Sequence, residues 1–367
     1  MCIIISRSIM PDGMDFGTKQ ILITGALGWL GRNLVETLIF GLNEVDTLKA
    51  PPSDLKIKCL IMPGQDGTPL QAISDRIRIV VGDLRQPVGC RQFVSGAAGA
   101  VLFHTAALIH PRRISDLYRT NVDGTRNLLD AAADEGLRRA VVVSSNSPIG
   151  VHTDRNHLFD EQSPYRPYMN YGRSKMLMEQ AVQEVYSEGR METVIIRPTW
   201  FYGPHQPPRQ TLFFEMIRDG KMPIVGDGDN RRSMAYVENI CQGLLLAALH
   251  EPANGQIYWI ADERPYTLNE IVDTVERLLE EEFGARCLHR RLRLPGLAGT
   301  VATLADYTIQ CLGLYHQKMH VLSEMNKNIA CTIKKAQTEL GYAPTVELEE
   351  GMRRSIRWLS EKHHVTF

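Results

Sequence analysis

The 367-residue sequence lacks a long apolar run, an excess of charge of either sign and closely spaced cysteines. Its most apolar later segment, residues 297–314, is interrupted by Thr300, Thr303, Asp306, Thr308 and Gln310. A membrane-spanning helix needs about 20 predominantly apolar residues. We therefore predict an amphipathic helix in this segment and no membrane span.

Positive and negative charges balance, with 41 Lys and Arg against 42 Asp and Glu and a formal net charge of −1. No global basic field is available for nucleic acid or anionic lipid, so any charged partner must be met locally. We expect no nucleic-acid partner.

Two features bear on metal sites and location. The cysteines are odd in number and scattered, without a C-x-x-C pair, so neither a disulfide framework nor a metal site is expected. They are Cys2, Cys59, Cys90, Cys241, Cys287, Cys311 and Cys331. Residues 1–17 hold the run Ile3 to Ile5 but no basic region followed by a longer apolar stretch. A secretory signal needs both, so we expect a cytoplasmic location.

Short apolar runs alternate with helical periods from residue 20 onward, which is typical of β-α-β units in a parallel sheet. The predicted strands are Ile21 to Ile23, Ile57 to Met62, Ile77 to Val81, Ala100 to Phe103, Ala140 to Val143 and Val194 to Ile196. Helices are predicted at Gly31 to Phe40 and Tyr118 to Glu135, and later at Gln210 to Asp219, Asn239 to Leu249 and Leu268 to Glu282. The predicted fold class is α/β, a doubly wound parallel sheet with a smaller mixed C-terminal domain.

The first strand runs into a glycine turn, Thr24 to Gly31, and a helix follows. Such glycines let the backbone approach a pyrophosphate, while the helix N-terminus offers free N–H groups. The spacing G-x-x-G-x-x-G is one residue longer than the fingerprint G-x-G-x-x-G, and a tight turn without a ligand is the alternative. The flanking strand and helix favour a dinucleotide site, formed by Gly25, Leu27, Gly28, Trp29, Leu30, Gly31 and Arg32.

Two further strand ends support this site. Asp83, beside Leu84, can accept a hydrogen bond from the adenine amine. His104 precedes Ala106 and Ala107, small residues that leave room for a ribose or a pyrophosphate. Each of the two motifs, taken alone, is equally consistent with no ligand contact.

A second group of residues carries acid/base chemistry. Tyr171 and Lys175 lie four positions apart, which places the phenol and the ammonium on one helical face. The serine-rich end of a strand, with Ser144 and Ser145, precedes them. A phenol is a poor base near its usual pKa of about 10, but a nearby cation lowers that value. A serine can then hold the substrate oxygen while a nicotinamide takes the hydride.

Taken together, these motifs resemble the extended short-chain dehydrogenase/reductases of the NAD-dependent epimerase/dehydratase group. The resemblance covers Ile21 to about Trp358 and includes Asn121 to Thr125, Arg197 to Pro204 and Gly226 to Asn239. It implies a Rossmann fold, NAD or NADP as cofactor, and Tyr171 as the acid/base. It further implies that Lys175 bonds the nicotinamide ribose and lowers the phenol pKa, and that Ser145, with Ser144 as the fallback, positions the substrate.

The resemblance also implies substrate contacts and a domain division. Residues 223–233 resemble the segment whose arginine binds the diphosphate of a nucleotide-sugar, and that arginine corresponds to Arg232. Arg209 is a weaker candidate for the same contact. A guanidinium suits a pair of phosphate oxygens. The remaining expected contacts are Ser145, Asn146, Ser147, Tyr171 and Thr199 with substrate, and Asn121, Tyr171, Lys175 and Pro198 with cofactor. Prolines after Arg197 end regular structure, so residues 18–197 with about 234–261 would bind the dinucleotide. Residues 198–233 and 262–367 would bind the substrate.

The sequence departs from the family pattern at two places. Leu60 to Pro63 offers neither the acid that favours NAD nor the arginine that favours NADP, although Arg32 could meet a 2′-phosphate. Asn146 and Ser147 stand where sugar dehydratases carry an Asp-Glu pair. An amide and an alcohol cannot perform that acid/base work, so 4,6-dehydration is disfavoured.

The leading hypothesis is an epimerase or ketoreductase acting on a nucleotide-sugar. A dehydrogenase or reductase of a hydroxysteroid, isoprenoid or phenolic ketone is the alternative, since Leu294 to Leu314 and Trp200-Phe201 could wall an apolar pocket. A regulator that senses NAD(P) without turnover is a third, against which the intact Ser145, Tyr171 and Lys175 argue. The resemblance implies a homodimer through the helices Asn121 to Ala133 and Tyr171 to Val185.

Overall fold

The computed structural model describes residues 13–363, with side chains to residue 361. Cys2 and the run Ile3 to Ile5 lie outside the described residues. The strands are β1 (Gln20–Thr24), β2 (Lys56–Ile61), β3 (Ile77–Val81), β4 (Val101–His104), β5 (Arg139–Val143), β6 (Glu192–Pro198), β7 (Trp200–Tyr202), β8 (Pro223–Val225), β9 (Arg231–Arg232), β10 (Met234–Tyr236), β11 (Ile257–Ile260), β12 (Tyr266–Thr267) and β13 (Leu292–Leu294).

Seven strands form the central sheet in the order β11-β6-β5-β4-β1-β2-β3, and all of their pairings are parallel. The doubly wound sheet and its six predicted strands are thus confirmed. The seventh strand, β11, was not predicted. The order reverses between β1 and β4, so their carboxyl ends border the crevice in which such folds bind ligands.

Helices cover both faces of this sheet. They are α1 (Trp29–Phe40), α2 (Thr68–Gln71), α3 (Pro87–Val94), α4 (Ile114–Leu117), α5 (Gly124–Asp134), α6 (Met169–Ser187), α7 (Pro208–Arg218), α8 (Val237–Leu249), α9 (Leu268–Glu281), α10 (Gly296–Cys311), α11 (Gln317–Glu324), α12 (Lys334–Leu340) and α13 (Leu348–His363). Short 3₁₀ turns lie at Asp46–Leu48 and Glu251–Ala253. No described helix combines the length and the apolar character that a bilayer crossing requires.

Alternate strand residues feed two cores, because successive side chains of a strand point to opposite faces. Val141 and Val143 pack with α1, α8 and α12, whereas Val142 packs with α3, α5 and α6. Both faces of the sheet are covered, which is why β4 and β5 are buried at every position.

A third core joins α7, α9 and α13 with β8 and β10. It corresponds to the predicted smaller C-terminal domain. Cys331 and residues 333–342 instead contribute to the core beneath α1 and α8. The domain boundaries stay a proposal, and this packing favours assigning that short segment to the dinucleotide-binding part.

Two helices differ from expectation. The predicted helix Tyr118 to Glu135 begins with a π-helical segment, Tyr118–Asp123, before it continues as α5. Helix α10 occupies the predicted amphipathic segment, but its buried residues include Asp306 and Gln310, while Leu297 and Leu304 are exposed. The six described cysteines are all free thiols, and Cys311 is exposed.

A buried ion pair holds α6 against the sheet. Arg197, on β6, donates to both carboxylate oxygens of Glu179, on α6, at 3.0 and 2.6 Å. Both side chains are almost fully buried. Tyr165 donates a further hydrogen bond to Glu179 at 2.8 Å, and the guanidinium lies between the rings of Tyr165 and Trp259. The position of α6 therefore depends on a buried charge pair, in which Nη1 of Arg197 has no hydrogen-bond partner within residues 13–363.

Glu179→Gln should destabilise the chain by about 3 kcal/mol, because it leaves the buried Arg197 without a compensating charge. Urea unfolding followed by circular dichroism measures the change. Glu184→Gln is the control, since Glu184 lies on the same helix in an exposed pair with Arg126 at 3.4 Å and should cost less than about 1 kcal/mol. Equal, small losses in both variants would contradict the role given to the buried pair.

Candidate active site

The glycine turn after β1 packs backbone against backbone. Gly25 has a φ of +75°, and a Cβ there would lie 2.7 Å from the backbone nitrogen of Ala106. A Cβ on Gly31 would collide with the carbonyl oxygen of Gly25. Helix α1 begins after Gly28 with no side-chain cap and no acidic residue in its first turn. Its free N–H groups and its positive dipole end therefore suit an anion.

The side chains of this turn are engaged elsewhere. Trp29 donates from Nε1 to the carbonyl of Pro204 at 2.7 Å, and its ring packs on Phe201 at 4.7 Å. Leu30 is buried and Leu27 packs against the same core. Arg32 donates to Glu36 at 3.2 Å. The groups of the turn that can face a dinucleotide are thus mainly backbone N–H groups.

His104 ends β4 with no exposed ring atom to offer a ligand. It is 1% exposed and bonds the hydroxyls of Thr24 at 2.6 Å and Thr125 at 2.9 Å. Burial, assisted by the charge of Lys175, lowers its pKa to about 3. A neutral His104 therefore ties β1, β4 and α5 together.

The other predicted cofactor residues lie around the same crevice. Asp83 follows β3, and Arg85 donates to both of its carboxylate oxygens, from Nε to Oδ1 at 3.0 Å and from Nη2 to Oδ2 at 2.6 Å. The hydrogen bonds from Arg85 hold the pKa of that carboxyl below its usual value. Leu84 is buried in the core beneath α3 and α5, whereas Ala107 is exposed.

The structure brings Ser145, Tyr171 and Lys175 to the carboxyl end of β5. Lys175 is 1% exposed, and its ammonium donates to the carbonyl of Val143, the last residue of β5, at 2.9 Å. Ser145 Oγ lies 3.2 Å from Ser147 Oγ. A hydrogen bond between Ser145 and the phenol of Tyr171 lowers the pKa of Tyr171. The phenol, the ammonium and the serine hydroxyl therefore share one corner of the crevice.

Burial dominates the electrostatics of this corner. It raises the pKa of Tyr171 to about 12, against the lowering effects of Ser145 and Arg209 and with a further rise from Glu324. Burial also lowers the pKa of Lys175 to about 8, although Glu179 opposes it. The expected lowering of the phenol pKa by Lys175 is not the net result here, because burial outweighs the groups that lower the pKa of Tyr171.

Asn121 lies in the π-helical segment and serves the backbone. It is buried, its Oδ1 accepts from the amide of Leu108 at 2.8 Å, and its Nδ2 donates to the carbonyl of Leu108 at 2.9 Å. Its Nδ2 also reaches Ser174 on α6 at 3.1 Å. The amide therefore fixes the chain after β4 against α6. A π-helical turn is a common feature of functional sites.

Three predicted substrate residues follow the strand ends. Asn146 Oδ1 lies 3.4 Å from Ser145 Oγ, and the amide of Ser147 donates to that same Oγ at 3.3 Å. Thr199 comes directly after Pro198, the end of β6, and is buried. The hydroxyls of Thr199 and Ser144 have no hydrogen-bond partner among residues 13–363.

The two candidate arginines lie in α7 and β9. The guanidinium of Arg232 packs over Trp200 at 5.7 Å and donates to the carbonyl of Glu324, while its Nε has no partner in the described chain. Arg209 acts electrostatically on both Tyr171 and Tyr315. Arg209 thus stands near the Tyr171 phenol, whereas Arg232 faces Glu324 and Tyr168 and keeps an unpaired donor.

A polar network contributed by α10 and α11 was not predicted. Asp306, which is fully buried, accepts from His320 at 2.8 Å and from Gln310 at 3.0 Å. The hydrogen bond from Asp306 and the carboxylate of Glu324 raise the pKa of His320 against the effect of burial. The sequence signal was the spacing of polar residues inside an apolar segment, with Asp306 and Gln310 four positions apart.

The residues of the crevice fit a dinucleotide. The glycine turn leaves no room for a Cβ, the first turn of α1 is free of acids, and Ala106 and Ala107 add no bulk at the end of β4. When bound, NAD would supply a nicotinamide ring, which can accept a hydride and, in its reduced form, donate one. The phenol, the ammonium and the serine hydroxyl lie at the carboxyl end of β5.

Comparisons with known proteins agree with this geometry. The model of the NAD dependent epimerase/dehydratase family matches residues 21–261. The protein y4nL of Sinorhizobium fredii, whose own name calls it uncharacterized, is 50% identical over 339 residues, 92% of this chain and 94% of that protein.

Two further relatives carry names of enzymes. The 3beta-hydroxysteroid-dehydrogenase/decarboxylase isoform 1 of Arabidopsis thaliana is 31% identical, over 92% of this chain and 79% of that protein. The N-acetyl-alpha-D-glucosaminyl-diphospho-ditrans,octacis-undecaprenol 4-epimerase of Escherichia coli O157:H7 is 27% identical, over 95% and 98%. The solved dTDP-glucose 4,6-dehydratase of Streptomyces venezuelae, with NAD bound, has a TM-score of 0.71 at 24% identity, over 94% and 98%.

The pKa of Lys175, about 8 in the folded chain, predicts a pH dependence of stability. Between that value and the unfolded value of about 10.4, only the unfolded chain holds the proton. Stability therefore rises with pH across this window. The rise should be on the order of 3 kcal/mol and absent in Lys175→Met, as urea titrations from pH 7 to about 10.5 would measure.

The exposed Lys334→Met is the control for this titration and should follow the parent chain. Parallel pH profiles for the parent and Lys175→Met would contradict a lowered pKa of Lys175.

Proposed function

The chain belongs to the NAD-dependent epimerase/dehydratase family, and we propose that it interconverts a secondary alcohol and a ketone on a nucleotide-sugar, as an epimerase or a ketoreductase. The observation that supports this most is the meeting of Ser145, Tyr171 and Lys175 beside the glycine turn at which the strand order reverses. A phenol and an ammonium placed there can serve hydride chemistry on an adjacent carbinol.

Each of the three residues has a proposed role. Ser145 holds the substrate oxygen by a hydrogen bond, and Tyr171 exchanges the proton of that oxygen. A half-buried phenol with a pKa of about 12 is too weak a base, so a cation must stabilise its phenolate. Lys175, one helical turn away, is the residue that can supply this charge when it turns from the Val143 carbonyl. The buried ion pair at Glu179 holds the helix at the required depth.

Unpaired polar groups favour a polar substrate. Within residues 199–232 the buried side-chain atoms without a hydrogen-bond partner are Thr199 Oγ1, both amide atoms of Gln206, Gln210 Nε2, Asn230 Oδ1 and Arg232 Nε. Buried polar atoms in folded proteins are nearly always satisfied, so sugar hydroxyls and phosphate oxygens suit this segment. Helix α10 was expected to line an apolar pocket. Its buried residues instead include the polar side chains of Asp306 and Gln310.

A hydroxysteroid or related apolar alcohol is the second candidate substrate. It is favoured by the Arabidopsis relative, a hydroxysteroid dehydrogenase/decarboxylase, which is more similar to this chain than the E. coli epimerase is.

For the cofactor we propose NAD over NADP, because Glu36 already binds Arg32, the cation nearest the glycine turn. We also propose a cytoplasmic location and a homodimer through α5 and α6.

Tyr171→Phe should reduce turnover by about 10²–10⁴-fold, because it removes the proton carrier and nothing else. Turnover is measured as steady-state NADH formation or consumption for a reductase and as the ratio of the two sugar epimers by NMR for an epimerase, and NAD titration by protein fluorescence should give an unchanged Kd. Tyr186→Phe is the matched control, since Tyr186 is an exposed tyrosine on the same helix. Full activity of Tyr171→Phe would remove the phenol from the mechanism and favour a sensor without turnover.

The substrate class can be tested by thermal stabilisation with UDP, GDP, CDP and dTDP in the presence of NAD. The cognate diphosphate, at about a hundredfold excess over its Kd, should raise Tm by about 3–5 °C. Arg232→Gln should lose this shift, because it removes the guanidinium, and the neighbouring Arg231→Gln should keep it. No shift with any diphosphate, together with turnover of a hydroxysteroid, would favour the second candidate.

A further inference from the structure

Helix α10 has its apolar side on the outside. Its buried residues are Gly299, Ala302, Asp306 and Gln310. Its exposed apolar residues are Leu297 at 72%, Val301 at 60%, Leu304 at 68% and Tyr307 at 59%, followed by Leu312 at 73% just after its end. An ordinary surface helix shows the opposite arrangement. A contiguous exposed apolar patch of this kind marks an interaction site.

The inner side of α10 cannot exchange with its outer side. Asp306 is bound by His320 and Gln310. Thr303 donates to the carbonyl of Gly299 at 2.7 Å, and a Cβ on Gly299 would collide with Asn326. Rotating the helix would expose a closely packed glycine and break the bonds of a buried carboxylate, which is costly. The outward apolar stripe is therefore a fixed feature of the fold.

Exposed basic side chains lie in the segment that leads into α10. Arg286, Arg290 and Arg293 precede α10 and are exposed, and none of them has a carboxylate partner within residues 13–363. In the same stretch Arg291 binds Asp273 and Glu276 instead.

The exposed leucines Leu288 and Leu292 alternate with these arginines. At the other end of α10, Leu314 pairs with Arg113, which is exposed beside Arg112. The only acid of α10 is the buried Asp306, so no negative charge lies on the exposed side of this helix.

We propose that the α10 stripe, defined as Leu297, Val301, Leu304, Tyr307 and Leu312, docks on the surface of an anionic lipid bilayer. An uncharged apolar face next to exposed arginines that have no carboxylate partner within residues 13–363 matches the interfacial region of such a membrane. The helix would lie in the plane of the interface, since it is too short and too polar underneath to cross. Electrostatic attraction to the headgroups and burial of the leucines would act together.

This docking would bring the active site to the membrane surface. The chain leaves α10 through Gly313, which accepts from the amide of Ile114, and continues to Tyr315. Tyr315 bonds His110 at 2.7 Å and lies in the electrostatic field of Arg209, beside Tyr171. If the proposed function holds, the substrate can therefore be one whose reacting head is polar and whose other end lies in the bilayer. Docking itself does not depend on that function.

Vesicle sedimentation tests the docking. The full chain should bind vesicles of phosphatidylcholine with phosphatidylglycerol, more weakly at high salt, and bind phosphatidylcholine alone poorly. Leu297→Glu/Leu304→Glu should reduce the partition coefficient by about a hundredfold. Arg286→Gln/Arg290→Gln should reduce it by about tenfold, and only on the anionic vesicles.

The matched control is Phe40→Glu/Val88→Glu, which places two acids at exposed apolar residues of α1 and α3 and should leave binding unchanged. Circular dichroism and NADH turnover without vesicles separate a folding or catalytic defect from lost docking. Equal binding by the α10 and control variants would overturn the proposal. A parent chain that does not bind vesicles would also overturn the proposal. If that parent chain self-associates on gel filtration and Leu297→Glu/Leu304→Glu does not, the stripe is a contact between two copies of the chain.

Discussion

The contact of Glu179 with Arg197 sets the depth at which α6 meets the sheet. Tyr171, Lys175 and Glu179 follow one another at intervals of four residues, so they form a single polar stripe on a helix that is otherwise packed on apolar neighbours. The stripe can be buried only because its lower end is neutralised by Arg197 and its middle is bound by the Val143 carbonyl. Fixing the lower end fixes the phenol at the upper end.

Burial also creates the chemical problem that the site must solve. Removing Tyr171 and Lys175 from water raises the pKa of the phenol and lowers that of the ammonium, so both neutral forms are favoured. The same burial excludes solvent and so increases the interaction energy between the charges of the site. A small movement of one ammonium from a carbonyl toward a phenolate is then enough to change the acidity of the phenol substantially.

Much of the fold follows from local patterns in the sequence. The strands and the glycine turn are predictable because fully buried parallel strands are continuous apolar runs and because backbone contact between Gly25, Gly31 and Ala106 admits no side chain. The edge strand β11 was missed because Ile257 to Ile260 is short and is isolated from the other β-α-β units. The motif residues Tyr171, Lys175 and Ser145 were placed together by spacing and order alone.

Other features depend on contacts that no local pattern encodes. The apolar spacing in residues 297–314 predicts an amphipathic helix, yet the direction of its faces is set by Asp306 and its distant partner His320. Asp83 and Arg32 fit a ligand by position, but each is paired with a charge a few residues away. The periodicity of a sequence predicts that a helix has an apolar and a polar face. Contacts with residues distant in the sequence decide which of the two faces is exposed to water.

The most direct measurement is a crystal structure of the chain with NAD and its substrate. We expect the Tyr171 hydroxyl to lie within hydrogen-bond reach of the reacting oxygen, about 2.6–3.2 Å, with the nicotinamide against the carbon that carries this oxygen. We also expect the Lys175 ammonium to have moved toward the nicotinamide ribose and the phenol. A nicotinamide bound away from Tyr171, or a Lys175 still held by the Val143 carbonyl in that complex, would contradict the proposed role of these residues.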